Sequence, residues 1–266
     1  MAAGLEHGLS GKRTAGINML KNNKSLGQHW LKDRAVLDEI SALASADVNL
    51  VLEIGPGLGT LTSSLLRRFD KVIAIEYDQR LAENLPKSFP GKNLEVVNQD
   101  FLTYNLEQIK VPYVVAGNIP YYITSPIIHK LLETKNHPER IVLLIQKEVA
   151  DRILALDGKE SVLSLTVKNY AKVFPGFVVP KELFTPPPKV NSAVVVLEPL
   201  KKPQVSEDVI NFIKLGFRNP RKKLIKNLPY DQATLAGVFA KLGISSNARP
   251  ADLNLKQWQK LLQFLA

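Results

Sequence analysis

The sequence predicts an α/β protein: an open, mainly parallel β-sheet with helices on both faces, followed by a small all-helical C-terminal domain. Two observations predict it. Short apolar runs alternate with amphipathic segments from residue 34 to residue 171, as in successive strand–helix units of a parallel sheet. From about residue 203 the periodicity is helical throughout. Pro199 and Pro203 bracket the linker between these two patterns.

The alternating region contains five strand candidates in a row. They are NLVLEIG (49–55), KVIAIE (71–76), LEVVNQD (94–100), VPYVVAGN (111–118) and RIVLLIQ (140–146). The helix candidates around them are RAVLDEISALA (34–44), TLTSSLLRRF (60–69), QRLAENL (79–85), SPIIHKLLE (125–133) and ESVLSLTVKNYA (160–171). FVVP (177–180) and SAVVVLEP (192–199) have only a loop between them, which favours an antiparallel pair at the sheet edge.

The chain divides into three predicted parts. Residues 1–21 form a basic arm expected to be disordered, residues 22–202 the α/β domain, and residues 203–266 the helical domain. The last part has four helix candidates, which are EDVINFIKLGF (207–217), RKKLIKNL (221–228), QATLAGVFAKLG (232–243) and LKQWQKLLQFL (255–265).

Composition excludes several classes of protein. The 266 residues include no cysteine, so disulfides and thiolate metal sites are excluded, and the four histidines are too scattered to suggest a metal site. No apolar run approaches the roughly 20 residues needed to span a bilayer. The first residues lack the apolar core of a secretory signal, and their basic character leaves an organelle-targeting segment as the alternative to a disordered arm. We therefore expect a cytoplasmic protein without a metal ion or a membrane partner.

The net charge of +10 is concentrated at the two ends of the chain. Residues 201–266 carry +8 and residues 1–35 carry +4, whereas the stretch between them carries −2. Basic ends around a nearly neutral body suggest a nucleic acid held from two sides. The alternative is a solvated surface that only aids solubility.

A glycine-rich loop follows the first predicted strand. Glu53 precedes Gly55, Gly57 and Gly59 in EIGPGLG, a spacing that differs from the dinucleotide fingerprint G-x-G-x-x-G. Pro56 also removes a backbone donor that a pyrophosphate would use. The loop resembles motif I of the S-adenosylmethionine-dependent methyltransferases, whose ligand carries no phosphate. Alone, it could equally be a plain strand-to-helix turn.

Two acids stand at the ends of the next strands. Glu76 ends the second strand, where its carboxylate could accept both hydroxyls of a ribose. Asp100 ends the third, where it could accept an adenine amine. Each alone is more often a surface acid. Because open α/β sheets bind ligands at the carboxyl ends of their strands, the acids and the loop together predict a nucleoside-type cofactor.

The stretch AGNIPYYITS carries the predicted chemistry. Asn118 ends the fourth strand, so its side-chain oxygen faces the same crevice. The backbone carbonyl of Ile119, fixed in direction by Pro120, supplies a second acceptor for the hydrogens of an aromatic amine. Tyr121 supplies a face on which a base can stack, whereas Tyr122 is expected to pack. The alternative is a proline turn with a half-buried amide and a packed tyrosine.

Seven segments in order resemble the KsgA/RsmA ribosomal RNA dimethyltransferases, relatives of the Erm enzymes. They are SLGQHWLKD (25–33), EIGPGLGTLT (53–62), IEYD (75–78), QDFL (99–102), GNIPYYITSPII (117–128), FTPPPKVNSAVV (184–195) and GFRNPRKKLIKNL (216–228). The resemblance implies a Rossmann-like class I S-adenosylmethionine-dependent methyltransferase fold in a monomer. It also implies dimethylation of two adjacent adenosines in the 3′-terminal hairpin of small-subunit ribosomal RNA, during ribosome biogenesis.

The resemblance also implies roles for individual residues. The cofactor contacts would be Gln28, His29, Leu31, Gly55, Gly57, Glu76, Asp100, Phe101 and Asn118. The catalytic group would be Asn118, Ile119, Pro120, Tyr121 and Phe184, the last as a second stacking aromatic unless it is simply a core residue. RNA phosphates would meet Arg218, Arg221, Lys222, Lys223 and Lys226, which could otherwise form a solvated face. The family's Gln-Asn-Phe-Leu is Gln28-His29-Trp30-Leu31 here.

Two rival functions stay open at this point. One is an Erm-type methyltransferase that acts on large-subunit RNA. The other is a cofactor-binding assembly factor without catalysis, which the intact Asn118, Pro120 and Tyr121 disfavour because a pure binding module does not need the acceptor turn.

Overall fold

The computed structural model describes residues 28–266, so the predicted N-terminal arm, residues 1–21, lies outside the described residues. Within the described part, one sheet contains seven strands, which are β2 (Leu50–Ile54), β3 (Lys71–Glu76), β4 (Leu94–Asn98), β5 (Tyr113–Asn118), β6 (Arg140–Gln146), β7 (Ala171–Val179) and β9 (Ser192–Pro199). Their spatial order is β4-β3-β2-β5-β6-β9-β7. A separate two-stranded ribbon joins β1 (Trp30–Leu31) to β8 (Phe184–Thr185).

The sheet changes direction at β6. Strands β4, β3, β2, β5 and β6 are parallel, and β9 and β7 complete the sheet as antiparallel strands. The antiparallel pair predicted at the sheet edge is therefore confirmed. The parallel strands read as nearly continuous apolar runs because the sheet is covered on both faces. Their carboxyl ends carry Gly55, Glu76, Asp100 and Asn118 to one edge.

Six helices accompany the sheet. They are α1 (Arg34–Leu43), α2 (Thr60–Leu65), α3 (Gln79–Ser88), α4 (Thr124–Glu133), α5 (Lys147–Leu154) and α6 (Val162–Tyr170). One apolar cluster joins α4, α5 and α6 to one face of the sheet, the face on which Leu52, Val115 and Leu143 lie. A second cluster joins α1, α2 and α3 to the opposite face, where Val51 and Val114 point. Helices on both faces confirm the predicted α/β class.

Three further helices form the C-terminal region: α7 (Glu207–Gly216), α8 (Gln232–Leu242) and α9 (Leu255–Leu265). They pack around Trp258, which is fully buried. Gly216 allows the indole to approach closely, because a Cβ there would lie 2.3 Å from the ring atom Cη2 of Trp258. Leu165 of α6 belongs to the same cluster, so the helical region packs against the sheet-bearing part.

Three features differ from the sequence expectations. Residues 221–228 were expected to be a helix, but only Leu224–Lys226 form a short 3₁₀ turn, so that prediction is wrong. The basic segment is fixed instead by long-range bonds: the Leu224 N–H donates to the Ala248 carbonyl, and the Asn227 amide donates to the Gly216 and Asn219 carbonyls. Helix α5 and the β1–β8 ribbon were not predicted, because α5 follows β6 without an intervening residue and each strand of the ribbon has only two residues.

Residues 28–266 contain neither a membrane-spanning helix nor a metal-binding cluster. No helix in this range is both long enough and apolar enough to cross a bilayer. No cluster of three or more His, Asp or Glu side chains in this range has the arrangement of a metal site.

Candidate active site

A cavity of about 320 Å³ opens at the carboxyl ends of the parallel strands. Its wall combines the glycine loop, the acid that ends β3, the acid that follows β4, the turn after β5 and the segment 28–30. The lateral order along the sheet edge is Asp100, Glu76, the glycine loop and Asn118, because the strands stand in the order β4-β3-β2-β5. The predicted crevice is therefore a single continuous cavity.

Glu76 is held in place by backbone donors. The Gly57 N–H donates to its Oε2 at 3.0 Å, and the Asp78 N–H donates to its Oε1 at 2.9 Å. Burial raises the pKa of this carboxyl, and the backbone bonds oppose the shift. Each carboxylate oxygen can accept more than one hydrogen bond, so the carboxylate keeps acceptor capacity toward the cavity. A pair of vicinal hydroxyls suits such a preorganised acceptor.

Two other acids border the cavity. Glu53 is fully buried, Thr62 Oγ1 donates to its Oε2 at 2.6 Å, and burial raises the pKa of this carboxyl to about 8. Asp100 is more accessible and caps the short turn Phe101–Thr103, where the Leu102 N–H donates to its Oδ1 at 2.8 Å. The cap fixes the direction of the Asp100 carboxylate at the far end of the cavity.

The orientation of the Asn118 amide follows from its hydrogen bond. Its Nδ2 lies 3.0 Å from the backbone carbonyl oxygen of His29. Because a carbonyl can only accept, the amide must present its NH₂ to His29, which directs the side-chain oxygen elsewhere. Asn118 lines the cavity, so that oxygen is available as an acceptor there.

The ring of Tyr121 is fixed at two points. Its hydroxyl lies 2.7 Å from Ser192 Oγ of β9, and its ring stacks on the His29 imidazole with centroids 6.0 Å apart. Burial raises the pKa of the phenol, so Tyr121 stays neutral. The Nδ1–H of His29 donates to the Pro186 carbonyl at 2.8 Å. His29 thus links the β1–β8 ribbon to the tyrosine.

The structure gathers most of the predicted site residues but not all of them. The cavity wall contains Gln28, His29, Gly55, Gly57, Glu76, Asp100, Phe101, Asn118, Ile119, Pro120 and Tyr121. Leu31 is fully buried and pairs with Phe184, which is 2% exposed inside the apolar core. Neither residue lines the cavity. Trp30 does, so the alternation of side chains along β1 turns Leu31 away, and Phe184 packs in the apolar cluster with Leu31. The roles predicted for these two side chains are not supported by this arrangement.

Several cavity residues were missed by the sequence analysis. Trp30, Tyr77 and Tyr122 all line it, and the last two are 64% and 63% exposed. Packing was expected for Tyr122, and that prediction is wrong: the 3₁₀ turn Tyr121–Ile123 holds its ring in solvent at the cavity mouth. A signal existed for Tyr77, since it follows a strand-end acid directly.

The basic residues lie apart from the cavity. Arg218, Arg221, Lys222, Lys223 and Lys226 are all exposed. Within residues 28–266, none of them forms a salt bridge, whereas Lys168 pairs with Glu160 at 2.7 Å and Lys159 with Asp252 at 2.6 Å. The segment is therefore a patch of uncompensated positive charge.

Comparison with known proteins identifies the family. The family described as ribosomal RNA adenine dimethylase matches residues 19–266. The chain belongs to this family. A ribosomal RNA small subunit methyltransferase A from Nostoc sp. is 40% identical and covers 93% of this chain and 99% of its own. The enzyme of that name from Mycoplasmopsis synoviae is 39% identical, covering 94% of this chain and all of its own.

Two solved structures are similar to this fold. The 23S rRNA methyltransferase ErmE has a TM-score of 0.75 at 30% identity, covering 89% of this chain and 99% of its own. A dimethyladenosine transferase from Plasmodium falciparum has a TM-score of 0.75 at 31% identity, covering 89% and 98%. The predicted class I S-adenosylmethionine-dependent methyltransferase fold and the predicted family are therefore confirmed.

Proposed function

We propose that this protein is an rRNA adenine dimethyltransferase of the small ribosomal subunit. In this proposal it uses S-adenosylmethionine to dimethylate the exocyclic N6 amine of two adjacent adenosines in the 3′-terminal hairpin. The observation that carries the proposal is the turn at the end of β5, where the Asn118 amide is oriented by His29 beside the anchored ring of Tyr121.

The cavity wall fits S-adenosylmethionine. Asp100 would accept from the adenine amine, and Glu76, with its carboxylate fixed by two backbone N–H groups, would accept from the ribose hydroxyls. The indole ring of Trp30 lines the same wall beside Gly57. The cofactor supplies an electrophilic methyl group bound to a sulfonium.

The residues after β5 would prepare the acceptor amine. The nitrogen lone pair of adenine is delocalised into the ring, so the free amine is a poor nucleophile. The Asn118 side-chain oxygen and the Ile119 carbonyl would accept its two hydrogens and favour a tetrahedral nitrogen with a localised lone pair. Tyr121 would hold the base by stacking, so that positioning supplies much of the rate. Phe184 would need a different position to stack as well.

The basic segment would bind the RNA backbone. Five exposed cations without acidic partners among the described residues offer phosphate contacts whose strength falls with salt. We propose further that residues 22–202 form the methyltransferase domain and residues 203–266 the RNA-binding helical domain, in a cytoplasmic monomer that acts on immature small subunits during ribosome biogenesis.

Labelled methyl transfer tests this proposal against its rivals. The protein is incubated with labelled S-adenosylmethionine and purified immature small subunits, with large-subunit RNA, or without RNA. We expect label in small-subunit RNA alone. Label only in large-subunit RNA would establish the Erm-type function, which the small-subunit relatives at 39–40% identity do not favour. RNA binding with no label in any sample would establish the non-catalytic assembly factor.

A further inference from the structure

Tyr122 is the exposed member of the turn that follows β5. Its ring is 63% exposed and lines the mouth of the cavity. It comes directly after Tyr121, whose ring is the proposed platform for the target adenine. Neither the cofactor contacts nor the acceptor groups proposed above use the ring of Tyr122, so its place at the mouth has no role yet.

The turn sends its three side chains in three directions. A 3₁₀ helix has about three residues per turn, so successive side chains leave it about 120° apart. The Tyr121 hydroxyl is hydrogen-bonded to Ser192 Oγ of β9, and Ile123 packs against the apolar core of the sheet. The direction left to Tyr122 points outward, away from both of these contacts.

Hydrogen bonds at both ends of the turn fix this arrangement. The Ile123 N–H donates to the Pro120 carbonyl at 3.2 Å, and the Thr124 N–H donates to the Tyr121 carbonyl. Thr124 is buried and begins α4, so the turn continues directly into a helix of the core. The exposure of Tyr122 therefore follows from a fixed backbone and not from a loose loop.

A target adenosine would bring its neighbours to the same place. An adenine that reaches Asn118 must leave the base stack of the RNA, so the bases on either side lose a stacking partner at the cavity mouth. Proteins commonly hold such unstacked RNA bases on aromatic side chains. Adjacent Cα atoms are about 3.8 Å apart, so the two tyrosine rings leave neighbouring points of the chain, one inward and one outward.

Tyr77 is equally exposed at the cavity wall but stands on the other side of β2. It follows Glu76 at the end of β3, whereas Tyr122 follows β5. Tyr77 therefore lies toward the residues proposed to hold the cofactor ribose, and Tyr122 lies toward the acceptor amine. This difference makes Tyr77 a suitable comparison for the role of Tyr122.

We propose that the ring of Tyr122 stacks on the base of the nucleotide next to the target adenosine. This inference rests on the proposed function, since it assumes methyl transfer to an adenosine in RNA. Tyr121 holds the reacting base inside the cavity, and Tyr122 holds the adjoining base at its mouth. With two adjacent adenosines as targets, one rests on Tyr122 while the other reacts.

A double-mutant cycle between Tyr122 and the RNA tests this stacking. Small subunits are reconstituted with ribosomal RNA in which each of the two adenosines is replaced in turn by an abasic nucleotide, which removes the base and keeps the backbone. Labelled methyl transfer to the remaining adenosine is compared with transfer to the unaltered RNA. We expect Tyr122→Ala to lower kcat/KM for the unaltered RNA by about tenfold.

The two changes should not add to each other. In at least one of the abasic RNAs, the wild type should lose about the same factor, and Tyr122→Ala should lose nothing further, because the stacked pair is already absent. Tyr122→Phe keeps the ring and should retain the wild-type kcat/KM. The matched control is Tyr77→Ala, whose effect should be the same factor on the unaltered and on the abasic RNAs.

Unchanged kcat/KM in Tyr122→Ala would overturn the inference while leaving the proposed function standing. So would losses that multiply in both abasic RNAs, since independent effects mean that the ring and the neighbouring base do not meet. A wild-type protein that transfers no methyl group to the unaltered small subunit would overturn the proposed function, and the inference with it.

Discussion

The cavity at the sheet edge and the basic segment 218–226 are built in opposite ways. The polar groups of the cavity are held by hydrogen bonds from distant elements, as when His29 orients Asn118 and Ser192 anchors Tyr121. The cations of the basic segment are exposed and have no acidic partners among the described residues. Catalysis depends on the direction of hydrogen-bonding groups, so the cavity needs side chains held in fixed orientations. Binding to a flexible polyanion depends mainly on positive charge, which the basic segment supplies without fixed partners.

Loss of Asn118 should produce the largest effect and separate the two regions most clearly. Asn118→Ala removes the oriented acceptor, so we expect methyl transfer to fall by about a hundredfold or more. RNA affinity, measured by filter binding, should stay within about twofold, since charge sets it. Asn84→Ala, on the exposed face of α3, is the matched control and should keep full activity. Full activity in Asn118→Ala would refute the acceptor mechanism.

The buried acid of the cavity should make stability depend on pH. Because the pKa of Glu53 is raised from 4.5 to about 8, the folded protein keeps a proton that the unfolded chain has lost between these values. Folding stability from this group therefore falls as pH rises, by about 1.4 kcal/mol per pH unit in that window.

The variant Glu53→Gln should lack this contribution. Chemical denaturation without cofactor, from pH 5 to pH 8, should show Glu53→Gln gaining stability relative to the wild type at each step. Glu76, whose pKa burial also raises, is present in both proteins and contributes in the same direction to each. A constant difference between the two proteins across this range would show that Glu53 is not protonated in the folded state.

Changes in the basic segment should be smaller and should depend on salt. The double variant Lys222→Ala and Lys223→Ala should weaken RNA binding by about tenfold at low salt and reduce the salt slope by about one per residue. The matched control is the double variant Lys87→Ala and Lys92→Ala. It removes the same amount of charge outside the basic segment, from residues beside the edge strand β4. If both pairs weaken binding equally, only total charge matters and the segment is a solvated face.

The two regions also differ in how far the sequence predicted them. Strand periodicity placed Glu76, Asp100 and Asn118 at one edge correctly, because parallel strands with apolar runs fix which end each residue occupies. The same method wrongly gave residues 221–228 a helix. Leu224 and Leu228 have helical spacing, but Pro220 and Pro229 flank them and bonds to Ala248 and Gly216 determine the backbone.

Within the site, the sequence predicted positions better than contacts. Phe184 and Leu31 could be placed near the cavity by their motifs, but the β1–β8 pairing that turns both into the core joins residues far apart in the chain. The same is true of the His29 bond to Asn118, which spans 89 residues. Long-range pairings of this kind carry no local signal, and they decide which side chains face the ligand.

The identity of the product tests the central claim most directly. Nucleoside mass spectrometry of the 3′-terminal hairpin, isolated from immature small subunits after reaction with the wild-type protein, should show dimethylated adenosine at two adjacent positions. The same reaction with Asn118→Ala should leave both adenosines unmodified. Unmodified adenosines in the wild-type reaction, with methyl transfer in a parallel reaction that contains large-subunit RNA, would contradict the account.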